Sequence, residues 1–130
     1  MYFLDTNTLI YFFKGMGRVA EMLLSKSPRD ISIPAVALYE LEVGIAKSKK
    51  PEARRKQLQT LTAQVSIAPF GTREAEAAAI IRAHLESMGM PIGPYDTLIA
   101  GIAFSRHAIL VTHNTGEFER VNGLELEDWF

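Results

Sequence analysis

Cysteine is absent from this 130-residue chain. No disulfide, thiolate zinc site, iron–sulfur cluster or thiol nucleophile can be built from it, and the absence accords with a reducing cytosol. Long apolar runs are missing too. The strongest, Leu98 to Phe104, is far short of the ~20 residues a membrane helix needs. A basic leader is lacking: Met1-Tyr2-Phe3-Leu4-Asp5 has no cationic start, and an acid breaks the apolar run at once, so it does not read as a signal peptide. No repeat, low-complexity tract or long linker occurs. The expectation is one soluble cytoplasmic domain over residues 1–130. At 48% hydrophobic residues it is too apolar for disorder and long enough for a core without staples.

Net charge is almost absent as well, at −1, which disfavours a globally basic nucleic-acid binder. The spread is uneven. Residues 14–56 carry ten Lys/Arg and five Asp/Glu, whereas the remainder carries four and ten. A basic half and an acidic half imply separate electrostatic roles.

What is present alternates between strand and helix signals. Tyr2-Phe3-Leu4 reads as a buried strand, and Asp5-Thr6-Asn7 carries helix-capping chemistry before a helix ending near Gly15. A short helix is expected over about 18–25, a strand at Ile31-Ser32-Ile33 closed by Pro34, and a helix from Ala35 to Ser48 that is apolar nearly all round. Such a helix is buried on more than one side; a sheet on one side and a second subunit on the other would satisfy it, with the face from Leu38 to Ile45 forming a dimer. Further helices are expected over 52–62, 73–87 and 95–105, the last with Pro94 in its first turn. Strands follow at Val65-Ser66-Ile67, Ile109-Leu110-Val111 and Leu124-Glu125-Leu126. The alternation predicts an α/β fold, a parallel sheet of four to five strands covered on both faces, with the ligand site outside the carboxyl ends of the strands.

Acids stand where acids are costly. Asp5 follows the first strand, Glu40 lies within the buried helix, Asp96 opens an apolar helix, and Asn114 and Glu117 follow the fourth strand. Singly, Asp5 and Asp96 could merely favour helix N-termini, worth ~0.3–1 kcal/mol each. Glu40 and Glu42 lie roughly 200° apart on a helix, so periodicity leaves open which points inward. Asp5 and Glu117 follow strand ends and Asp96 opens a helix, places that converge on one edge of a parallel sheet. Carboxylates without Cys or His are hard-oxygen ligands suited to Mg²⁺ or Mn²⁺, and such sites serve metal-assisted phosphodiester chemistry.

These residues also carry a resemblance. Leu4-Asp5-Thr6-Asn7, Glu40 within Ala37-Leu38-Tyr39-Glu40-Leu41, Asp96 within Pro94-Tyr95-Asp96-Thr97-Leu98-Ile99-Ala100, and the segment Leu110 to Phe118 followed by Leu124 to Trp129 resemble, in order, the motifs of PIN-domain ribonucleases. Length and motif order are similar to the VapC group, toxins of bacterial toxin–antitoxin pairs, and to FitB. The resemblance implies a three-layer α/β/α PIN fold and an Mg²⁺- or Mn²⁺-dependent endoribonuclease. It also implies a homodimer and a VapB-like antitoxin that blocks the site and binds operator DNA. Some relatives cut initiator tRNA, which makes tRNA one candidate substrate. By position, Asp5, Glu40 and Asp96 would bind metal, and Thr6, Asn7 and Thr112 would support them. Where many members carry a fourth acid, this chain has Asn114; Glu117 one turn on is the replacement, and which of the two serves is left open.

Two other classes compete. A degraded PIN-like module could hold RNA or a partner without cutting, an alternative that Asn114 keeps alive. Receiver- and haloacid-type phosphoryl enzymes also open with an Asp after a first strand, but this chain lacks the further Asp and late Lys of the former, and Asn7 replaces the second Asp of the latter. The basic run 47–56 could hold RNA phosphates or be a solvated helix start. Trp129 is expected to pack the C-terminus.

Overall fold

The structure is a computed structural model describing residues 1–130. In chain order its elements are β1 (Tyr2–Leu4), α1 (Thr6–Lys14), α2 (Val19–Leu24), β2 (Ile31–Pro34), α3 (Ala35–Ala46), α4 (Pro51–Thr62), β3 (Ser66–Ala68), α5 (Thr72–Ser87), α6 (Pro94–Ser105), β4 (Ile109–Val111), α7 (Thr115–Phe118) and β5 (Glu125–Glu127). A 3₁₀ turn at Pro28–Asp30 leads into β2. The five strands form one parallel sheet in the order β3-β2-β1-β4-β5, flanked by the helices in a three-layer α/β/α arrangement. No helix is long and apolar enough to cross a membrane.

Short apolar strands suit this sheet because parallel strands are covered on both faces and do not alternate. All four residues of β2 are buried, as are Phe3, Leu4, Leu110 and Val111. The core runs from these strands into Leu9, Ala37, Leu41, Ile99, Ile102 and Phe118. Helix α1 ends at Gly15, whose φ of 67° is the left-handed conformation that closes a helix C-terminus. Helix α5 packs on α6 where Ala78 faces Gly101 without room for a side chain between them.

The chain builds outward from β1 through β2 to β3, then returns to the other side of β1 with β4 and β5. The direction of winding therefore reverses between β1 and β4, and a crevice opens at their carboxyl ends. Leu4 pairs with Val111, so the next residues on each strand, Asp5 and Thr112, emerge side by side at that crevice.

The differences from the sequence expectations are local. Pro34 does not close β2 from outside but is its last residue, in register with Ala68; its φ of −57° fits extended backbone, and its missing N–H is tolerated at a strand terminus. Strands β3 and β5 each begin one residue late. Helix α7 was not foreseen, since four residues are too few to display a helical period. Within α3, Leu41 and Ile45 are buried inside the protomer, so they are core rather than surface for a second subunit.

Candidate functional site

Asp5 is the fulcrum of the crevice. It is only 4% exposed and forms the N-cap of α1, its Oδ1 accepting the backbone N–H of Thr8 at 2.9 Å. Its Oδ2 accepts the Thr112 hydroxyl at 2.6 Å. That hydroxyl in turn accepts the Asn114 backbone N–H at 3.0 Å, while the Thr8 hydroxyl donates to the Val111 carbonyl at 3.1 Å. The carboxylate is thus fixed from α1 and from β4. Burial still pushes its carboxyl above the ordinary range; the hydrogen bonds from Thr112 and Thr8 oppose this, and the charge of Asp128 adds to it.

Glu40 is placed by the other side of the same turn. The Thr6 hydroxyl donates to its Oε1 at 2.6 Å. Glu42 instead points outward, where Arg55 meets it at 2.9 Å. The ambiguity between the two glutamates is therefore resolved by partners, Thr6 for one and Arg55 for the other. On the far side, the Asn114 amide donates to Glu117 Oε2 at 2.9 Å, so Asn114 braces Glu117 instead of replacing it.

Asp96 lies in the first turn of α6, near enough to the other three acids for their charges to act on it. Its carboxyl is pushed up to about 6, first by burial, then by the charges of Asp5, Glu40 and Glu117. No Lys, Arg or His forms an ion pair with any of the four; the cations of the chain pair with Glu21, Glu42, Glu74, Glu86 and Asp128. Glu74 is the instructive contrast. It is buried too, but the Gly71 N–H and the Arg106 guanidinium hold its carboxyl below the ordinary range. Asp5 and Asp96 titrate high because burial, first, and the charges of neighbouring acids outweigh any hydrogen bonds they receive, with no cation paired to either.

The donor set fits a hard divalent cation: all oxygen, net negative, and free of sulfur or imidazole. No three acidic or histidine side chains close into a cage around one point.

Of the supporting residues expected from sequence, Thr6 and Thr112 reach the acids directly. Asn7 does not: it is exposed on α1 and its side chain makes no hydrogen bond within the protein. Two residues were missed. Thr8 stands three residues after the N-cap, the spacing at which a capping aspartate receives its N–H, a signal legible in Asp5-Thr6-Asn7-Thr8. Asp128 reaches the site from beyond β5, where it pairs with His113 at 3.0 Å; nothing in the sequence marks that approach.

Two expected results follow from this geometry. Thr112→Val removes the hydroxyl that links Asp5 to Asn114. Unfolding by urea should show a loss of about 1–3 kcal/mol, the cost of stranding buried hydrogen-bonding groups, with a further ~10–100-fold loss in metal affinity or activity. The second concerns pH. A carboxyl raised from its ordinary value to about 6 binds a proton in the folded state that the unfolded chain has already lost. Stability of the metal-free protein should therefore fall as pH rises from about 4 to 6 and level off above that. Mn²⁺ affinity, measured by calorimetry, should rise through the same window as the proton leaves. A metal-free protein that grew more stable over that interval would contradict the assignment.

A family model described as PIN domain matches residues 2–124. The tRNA(fMet)-specific endonuclease VapC of Shigella flexneri is 37% identical over 128 residues, covering 98% of this chain and 97% of that protein. Among solved structures, a DNA-bound VapBC from Salmonella typhimurium aligns with a TM-score of 0.92 at 36% identity, covering 99% and 98% of the two chains. VapBC2 from Rickettsia felis, bound to a fragment of promoter DNA, aligns with a TM-score of 0.90 at 35% identity over 99% and 98%.

Proposed function

The chain belongs to the PIN-domain family, among the VapC ribonucleases of toxin–antitoxin pairs, and from that membership we propose that it is an Mg²⁺- or Mn²⁺-dependent endoribonuclease whose residues 1–130 form one cytoplasmic catalytic domain. The observation that carries the metal dependence is the state of Asp96, crowded by Asp5, Glu40 and Glu117 with no cation of the protein to relieve it. In this reading Asp5, Glu40 and Asp96 hold the metal and Glu117 completes the acidic rim. When bound, the divalent ion lowers the pKa of a water and offsets charge on the scissile phosphate.

The chain's own residues do the positioning. Thr112 and the Thr8 N–H fix both oxygens of Asp5, and each oxygen keeps a further lone pair for a ligand. Thr6 aims one Glu40 oxygen. Asn114 steadies Glu117, which orients or deprotonates the attacking water. The brace from Asn114 favours an active enzyme over the non-cutting module, because the amide that stands in place of a fourth acid holds another acid, Glu117, one turn further on.

The likeness to a tRNA(fMet)-specific endonuclease makes initiator tRNA the first substrate to try, and the VapBC complexes make a VapB-like antitoxin the expected inhibitor. Purified protein stripped of metal should leave tRNA intact, cut it when Mg²⁺ or Mn²⁺ is restored, and stop when the antitoxin is added. Cleavage undiminished in excess EDTA would refute the metal dependence.

We also assign the protein a homodimer. Val36 and Val43, about two turns apart on one face of α3, remain half-exposed on the side of the helix opposite the buried Leu41 and Ile45. Sedimentation at micromolar concentration should give a species near twice 14.5 kDa, and Val43→Glu should shift it to the monomer.

A further inference from the structure

Two of the acids are preceded in sequence by a tyrosine, Tyr39 before Glu40 and Tyr95 before Asp96. Helices α3 and α6 bring these rings together, with centroids 5.8 Å apart and planes tilted by 59°. Both stay in solvent: Tyr39 is 52% exposed and Tyr95 45%. Each ring is therefore one residue along its helix from an acid of the site, and the ring contact ties the two helices together beside those acids. The other aromatic group near the crevice is different in kind. His113 stacks on Phe130 at 4.2 Å, and Tyr11 closes on both edge-on, so those rings spend their faces on one another.

Exposed aromatic area needs an occupant when it borders a site. A single-stranded nucleic acid offers one: its unstacked bases gain most by lying on aromatic faces, independently of base identity. Backbone phosphate drawn to a metal-loaded acidic crevice would bring the adjoining base to the rim where Tyr39 and Tyr95 stand. We propose that Tyr39 and Tyr95 form a stacking platform that seats the nucleotide next to the scissile phosphate, so that the enzyme selects unpaired RNA and orients it before cleavage. The proposal rests on the nuclease reading above and names the form of substrate that site takes.

The test is the division between KM and kcat. With a single-stranded RNA oligonucleotide and saturating Mg²⁺, Tyr39→Ala and Tyr95→Ala should each raise KM by about tenfold, within the range for losing one base–aromatic contact, and leave kcat within about threefold. Tyr→Phe and Tyr→Trp at either position should restore KM. An oligonucleotide lacking the base beside the cleavage point should bind as weakly to the intact protein as the complete one binds to the alanine variants. Mn²⁺ affinity, read by calorimetry without RNA, should stay unchanged.

Alanine variants with KM within twofold of the parent overturn the platform. So does a parallel loss of Mn²⁺ affinity, which would mark a structural role. So does a change from dimer to monomer with KM unmoved, which would give the rings to a subunit contact. A parent protein that cuts no RNA in Mg²⁺ fails the nuclease reading itself, and the platform with it; a parent that cuts while its alanine variants match it fails the platform alone.

Discussion

Asp96→Asn is expected to lower the rate of RNA cleavage by at least ~10³-fold, because metal-supplied charge stabilisation amounts to several kcal/mol and each 1.4 kcal/mol is tenfold in rate. The same substitution should raise the melting temperature of the metal-free protein at pH 7. Asp96 feels the charges of Asp5, Glu40 and Glu117 without a counter-cation, and an amide ends that repulsion while keeping the shape. Opposite signs for activity and stability are what separate a site residue from a structural one. Calorimetric scans with and without Mn²⁺ provide the control: the metal should stabilise the parent protein markedly and the variant little. A variant that cut RNA at the parent's rate would remove Asp96 from the site, and one that lost stability would show that the carboxylate has a partner in the fold.

The second large effect lies away from the chemistry. Replacing a helical glycine by alanine ordinarily stabilises by up to ~1 kcal/mol. Gly101 should reverse that sign. A Cβ there would fall 2.6 Å from Ala78 Cβ and 2.8 Å from Ala78 Cα and N, and backbone cannot step aside as a flexible side chain can. Gly101→Ala forces α5 and α6 apart, at a cost of about 1–3 kcal/mol for an overpacked core, or roughly 4–11 °C in melting temperature for a domain of this length. Gly44→Ala on α3 is the matched comparison. A Cβ there meets nothing within 4 Å, so the ordinary gain should appear. Thermal denaturation of the two variants side by side would show opposite shifts.

Much of the molecule could be read from the chain. The apolar triplets at Tyr2-Phe3-Leu4 and Ile109-Leu110-Val111, set between helical stretches, were enough for a parallel sheet, and the winding rule then drew Asp5 and the residues after β4 to one edge. The four acids were legible because carboxylates in apolar settings are costly. What was not legible depended on contacts distant in sequence. Glu40 and Glu42 sit on a helix with apolar residues nearly all round, so periodicity could not orient it; Thr6 and Arg55 did, from 34 and 13 residues away. The role of Asn114 turned on which way its amide pointed, and it points at Glu117. Helix α7 is shorter than the window in which helical spacing can be seen. Asp128 reaches the site only because β5 lies beside β4.

The order in which the sheet is wound also sets a schedule. The middle strand leaves the ribosome first, and one of its neighbours comes nearly last: the threonine that holds Asp5 is 107 residues further along the chain. At about 5–20 residues per second, roughly 5–20 s pass between the synthesis of Asp5 and that of its Thr112 anchor, and Glu117 follows later still. The four acids therefore cannot be brought together until translation of the chain is almost complete.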